Sequence, residues 1–139
     1  MPSTARTPLQ ISPLPRPGRR VVERRKQRSQ RAADALELAL SGAVERGSLD
    51  VVLIADEHGM LVSSSLTELD LEMLAAVTPI VARGRAKANI KRNGALRELS
   101  VKSIRVFGET LHVAALGGGP SGRALGLMHS VTAARRILA

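Results

Sequence analysis

Residues 32–139 predict an α+β domain, an antiparallel sheet flanked by helices in the order α–β–β–α–β–β–α. Three observations carry that expectation. Apolar residues recur at helical spacing in three stretches, and in runs or alternation in four others. Turn residues divide the strand-like stretches into two pairs. The chain of 139 residues is 44% hydrophobic with Phe107 its sole aromatic, so a core of Leu, Val, Ile and Ala is expected.

The first helix is marked by Leu36, Ala39, Leu40, Ala43 and Val44, which share one face from about residue 32. Gly47 suits its C-terminus. Leu49 to Ile54 is a β-branched, apolar run without alternation, the pattern of a strand covered on both faces or lying centrally in a sheet. Asp56-Glu57-His58-Gly59 supplies a turn, and Met60-Leu61-Val62 returns the chain as the second arm of a hairpin. Ser65-Leu66-Thr67-Glu68 reads as a capping box opening the next helix.

That middle helix is apolar around much of its circumference. At about 100° per residue, Leu69, Met73, Val77 and Ile80 form a stripe expected to be buried, widened by Leu74 and Val81, while Leu71 falls nearly opposite. One sheet needs only one stripe, so the surplus points to a second buried face and hence to self-association. Leu69, Leu71, Met73, Leu74, Val77 and Ile80 are the candidate dimer residues, and a charge at Leu71 is expected to give a folded monomer. Pro79 is expected to kink the helix or to restart it with Thr78 as cap.

Arg83 to Asn93 carries five basic residues and no acid, and Asn93-Gly94 then signals a turn. Leu99 and Val101 alternate in one phase and Ile104 and Val106 in the other, which predicts a bulge or bend near Ser103. Gly108-Glu109 turns the chain into a strand from Thr110 to Leu116. Ala124, Leu127, Met128, Val131 and Leu138 mark an amphipathic closing helix.

The formal charge of +9 is concentrated at one end. Residues 1–31 hold nine Arg or Lys against Glu23 alone, whereas residues 32–139 hold twelve basic and eleven acidic residues. Residues 1–18, rich in proline, are expected to be a disordered arm, and residues 19–31 a basic helical extension. Arg19, Arg20, Arg24, Arg25, Lys26 and Arg28 are the candidates for an electrostatic contact with nucleic acid, an anionic membrane surface or an acidic partner. Specific nucleic-acid recognition is disfavoured by the near absence of aromatics that could stack on bases. The prolines also spoil the amphipathic helix of a transit peptide, and no apolar segment approaches the roughly 18 residues of a membrane span.

Chemistry of the common enzymatic kinds is missing. With no Cys there is no thiol nucleophile, Cys-ligated metal site or disulfide, which fits a reducing, cytoplasmic setting. His58, His112 and His129 lack metal-ligand spacing and are expected on the surface or satisfied in the core. Gly117 to Arg123 enters a helix as a phosphate loop would, but Arg123 and Ala124 stand where such a loop needs Lys and then Ser or Thr. A flexible turn at a helix N-terminus is the expectation there. No catalytic residue, metal ligand or cofactor is assigned.

The stretch from Ala35 to Gly47, followed by Leu49 to Ser65 with its Asp56-to-Gly59 turn and return strand ending in small residues, resembles the opening of a roadblock/dynein-light-chain domain. The apolar helix at Leu69 to Val81 and the Gly-entered helix at Arg123 to Leu138 continue the resemblance, which spans roughly residues 33–138. It implies a sheet flanked by helices and a homodimer made across the middle helix and its neighbouring strand. It further implies a non-enzymatic regulator of small Ras-like GTPases of the gliding-motility type, or an adaptor for another signalling protein. Four strands are defined here where the family usually has five, which leaves a fifth short strand open. The basic arm is not part of the family's domain.

Overall fold

The computed structural model describes the backbone of residues 18–84 and 89–139, and the side chains of residues 27, 30–84 and 89–139. The arm expected to be disordered lies outside the described residues but for Gly18, as do the side chains of Arg19, Arg20, Arg24, Arg25, Lys26 and Arg28. The chain divides into two units between Arg31 and Ala32. In the first, the described backbone is helical and forms the start of α1 (Gly18–Gly47).

The second unit holds the rest of α1 and then β1 (Val51–Asp56), β2 (Leu61–Ser64), α2 (Leu71–Ala82), β3 (Asn89–Arg92), β4 (Ala95–Val106), β5 (Glu109–Leu116) and α3 (Pro120–Leu138). The strands form one antiparallel sheet in the order β2-β1-β5-β4-β3. This is the expected α+β architecture with one strand added. β3 pairs with β4 from Asn89↔Glu98 to Arg92↔Ala95. Asn93 and Gly94, with φ of 51° and 79°, make the two-residue turn between them, a left-handed pair that matches strand twist. Phe107 and Gly108 repeat it between β4 and β5.

Each face of the sheet has its own core. Val52, Ile54, Ile104, Leu111, Val113 and Ala115 pack against Leu36, Leu40 and Ala43 of α1 and Leu127, Val131 and Ala134 of α3. Val51, Leu53, Ala55, Leu99, Ala114 and Leu116 pack against Leu74 and Ala75 of α2. β1 is therefore buried on both sides, as its unbroken apolar run requires. The same arrangement removes the bulge expected near Ser103. β4 and β5 keep one register from Leu99↔Leu116 to Val106↔Glu109. Leu99 and Val101 serve the α2 core and Ile104 and Val106 the opposite one, so the change of phase reflects two covered faces rather than a bent strand. The register irregularity lies instead between β1 and β2, at Ile54/Ala55.

The ends of α1 and α3 meet backbone to backbone. Leu49 N–H donates to Val44 O (2.9 Å), and Ser48 takes the left-handed φ of 53° that closes α1. Gly47 is glycine for another reason: a Cβ there would lie 2.4 Å from Gly122 O, and one on Gly122 would lie 2.3 Å from Gly47 O. On α3, Leu127 and Val131 face inward as expected, whereas Ala124 and Met128 are exposed. Ser130 is also buried, and its hydroxyl has no hydrogen-bond partner among the described residues.

Candidate interaction surface

α2 begins later than the capping box implied. Asp70 is its N-cap, with Oδ1 accepting from Met73 N–H at 3.1 Å, and Glu72 in the first turn complements the helix dipole. Ser65 serves the sheet instead. Its N–H donates to Val52 O (2.8 Å) and its hydroxyl accepts from Val52 N–H (3.0 Å). The helix runs through Pro79 without restarting, and Thr78 is no cap: its buried hydroxyl donates to Leu74 O at 2.7 Å.

Leu69 lies before the helix, and the inward face centres on Leu74. Leu74 is fully buried, and Leu69, Leu71 and Val77 pack half-buried against the same core. Met73 (39% exposed) and Ile80 (44%) point outward, contrary to their expected burial. Leu71, expected opposite the buried stripe, belongs to the protomer's own core, so a charge there attacks the fold. The outward face consists of Met73, Ala76 and Ile80, bracketed by exposed Glu72 and Arg83. Of the six candidate dimer residues, the structure leaves only Met73 and Ile80 with substantial free surface on this face.

Polar contacts hold α2 against the β1–β2 turn. Asp56 Oδ1 accepts from His58 N–H (2.8 Å) and Met60 N–H (2.9 Å). Those backbone donors, Met60 first, hold the Asp56 carboxyl below its ordinary range. Gly59 brings the turn against the helix, since a Cβ on it would lie 3.0 Å from Ala76 Cα. Arg83 donates to Glu57 O at 3.2 Å and pairs with its carboxylate at 3.8 Å. The same carboxylate takes a hydrogen bond from His112 Nε2, which is the largest cause of its lowered pKa. Ser103 Oγ lies 2.7 Å from His112 Nδ1. A neutral imidazole protonated at Nε2 satisfies both contacts, with the Ser103 hydroxyl donating. His112 is thus a satisfied core residue, as expected, and His58 is exposed in the turn.

Three arginines fix the other end of the sheet. Arg97 makes a two-pronged contact with Asp50, Nε to Oδ2 at 2.8 Å and Nη2 to Oδ1 at 2.9 Å, with Arg92 at 3.4 Å. The Arg97 hydrogen bonds, then its charge and that of Arg92, hold the Asp50 carboxyl below its ordinary range against the effect of burial. This ties the β3–β4 hairpin to the start of β1. Arg123, only 5% exposed, donates to Ser100 Oγ (2.8 Å), Gly117 O (3.2 Å), Gly118 O (3.0 Å) and Glu98 Oε1 (2.9 Å). The Gly-rich segment is therefore strapped to β4 by its own arginine, and the guanidinium is occupied by protein acceptors. Sequence spacing could not reveal this, because the partners lie 5 to 25 residues away.

Among the described residues, no cluster of three or more His, Asp or Glu is placed to hold a metal ion, and no helix is long and apolar enough to cross a membrane. The outer side of α2, with Met73 and Ile80 exposed, is a candidate packing surface.

Neither a family model nor a curated protein matches the chain in sequence. Solved structures do match in fold. A gliding protein MglB from Thermus thermophilus is 14% identical, with a TM-score of 0.57 over 77% of this chain and 90% of its own. An MglB described with a tetrameric arrangement is 15% identical, with a TM-score of 0.51 over 80% of this chain and 90% of its own. Myxococcus xanthus MglB is 13% identical, with a TM-score of 0.49 over 73% of this chain and 93% of its own. The first two place the chain in the roadblock-like fold of MglB.

Proposed function

We propose that this chain is a non-enzymatic regulator or adaptor that works in the cytoplasm as a homodimer and binds a small Ras-like GTPase or another signalling protein. The GTPase class follows from the roadblock resemblance of residues 33–138, and the fold shared with the MglB structures supports it. The observation that carries the homodimer is the outer face of α2. Met73, Ala76 and Ile80 leave an apolar stripe on a helix whose inner side already fills the core. An antiparallel pair of α2 helices would cover it, setting the acid at Glu72 of one copy near the base at Arg83 of the other.

Affinity capture with the full chain tests the partner, in native lysate at about 0.15 M salt, where exposed charges are substantially screened. A small GTPase retained with a GTP analogue and lost with GDP, or the reverse, supports the regulator reading. Capture of nucleic acid and ribosomal material alone would transfer the function to the basic arm.

A further inference from the structure

The α2 face and the GTPase reading leave the start of α1 without a role. Over residues 19–31 seven Arg or Lys stand against Glu23 alone, and the backbone of the whole stretch is helical. No acid lies in the first turn to offset the positive end of the helix dipole. Arg20, Arg24 and Arg28 follow one another four residues apart, where like charges on a helix repel. This length of helix is short of negative charge from end to end.

A helix sets successive residues about 100° apart around its axis. Arg20, Arg24, Arg28 and Arg31 therefore fall within an arc of about 80°, and Arg25 lies about 60° beyond it. Lys26 and Arg19 come on the opposite side. No sector wider than about 100° lacks a basic residue. Val21 and Val22 are the only apolar residues of the stretch, and Arg25 falls between them, so no apolar stripe forms. A helix lying in a bilayer surface needs such a stripe, about 100° wide or more.

We propose that residues 19–31 bind double-stranded DNA, with the helix seated in the major groove and its basic residues reaching phosphates on both walls. That groove is about 12 Å wide and takes a helix about 10–12 Å across, of which this stretch supplies about 20 Å. Positive charge all round the helix suits a slot with anions on two sides, whereas a flat anionic surface would meet only one arc. The major groove of duplex RNA is too deep and narrow to serve. Single strands are held by aromatic stacking, which Phe107 alone cannot supply. Phosphate contacts position a protein without reading sequence, so the binding is indifferent to DNA sequence.

The test uses the full chain with a labelled DNA duplex of about 20 base pairs and mixed sequence, the RNA duplex of the same sequence, and vesicles containing phosphatidylglycerol. DNA is expected to bind with a Kd of about 10 μM at about 0.15 M salt, and with four phosphates engaged the log–log salt slope is about −3.6. RNA should bind at least fivefold more weakly. Arg24→Glu with Arg28→Glu should weaken DNA binding at least tenfold. Gln27→Pro keeps every charge but breaks the helix, and should weaken it at least fivefold. Thermal unfolding checks that residues 32–139 stay folded in both variants, and capture of a GTPase through α2 is expected to survive them. Absence of DNA binding overturns the proposal, as does binding to vesicles alone. Affinity unchanged by Gln27→Pro assigns the DNA to an unstructured polycation, and equal or tighter binding of RNA removes the groove fit; either result equally overturns it.

Discussion

On one face of the sheet, α1 and α3 meet so closely that neither Gly47 nor Gly122 has room for a side chain. On the other, α2 alone, about 10 Å across, packs on β1, β2, β4 and β5 of a sheet whose five strands span about 24 Å. Where those helix ends meet, the first face has no room for a further atom. The second keeps apolar surface on the far side of its helix, although its inner side is packed on a core of its own. Met73 and Ile80 therefore mark where α2 lacks a contact, whereas the glycine contact joins α1 to α3 within the protomer.

That contrast can be broken most severely at the glycine contact. Gly122→Ala forces a Cβ against the Gly47 carbonyl and should cost about 3 kcal/mol in denaturant unfolding, the upper part of the usual range for overpacking. Arg123→Met comes next. It leaves the Gly117 and Gly118 carbonyls and Ser100 without their donor, and a loss of about 2 kcal/mol is expected by the same measurement.

On the open face, two substitutions of one kind should separate. Leu71→Glu places a charge against the protomer's own core and should lower stability by about 2 kcal/mol. Ile80→Glu should retain the native circular dichroism and convert a dimer into a folded monomer in light scattering. A dimer that survives Ile80→Glu would remove α2 as the self-association surface.

The smallest effect is electrostatic. The folded-state pKa of Asp50 is depressed, chiefly by Arg97. Its contribution is thus complete above the unfolded value of about 3.9 and is lost as pH falls through the lower folded value. Asp50→Asn should cost about 1 kcal/mol at neutral pH and flatten the decline in stability below about pH 4.

Much of the fold is legible in the sequence where local signals agree. The β1–β2 hairpin has apolar arms and an Asp-to-Gly turn, and the structure keeps both. β3 escapes such reading because Asn89-Ile90-Lys91-Arg92 carries only one apolar residue, Ile90, which packs against the sheet core. Periodicity assigns the α2 surface the wrong residues because two motifs compete for the helix start. Ser65 has the sequence of a cap but its hydroxyl is claimed by Val52, a partner 13 residues away. With Leu69 before the helix, the buried stripe centres on Leu74, which leaves Met73 and Ile80 outside and Leu71 inside. Arg123 fails the phosphate-loop pattern, and its actual role rests on carbonyls and a glutamate that only the folded sheet brings within reach.

The register of the sheet also bears on how the chain must be made. β1, with both faces apolar, finds its inner neighbour only when Val51 pairs with Leu116, about 65 residues later. At a synthesis rate of about 5–20 residues per second, that strand leaves the ribosome several seconds before β5 can cover its edge. During that interval the nascent chain presents the segment Val51–Ala55 to its surroundings, and chaperone demand should fall on this strand rather than on the hairpin β4–β5, whose partners emerge together.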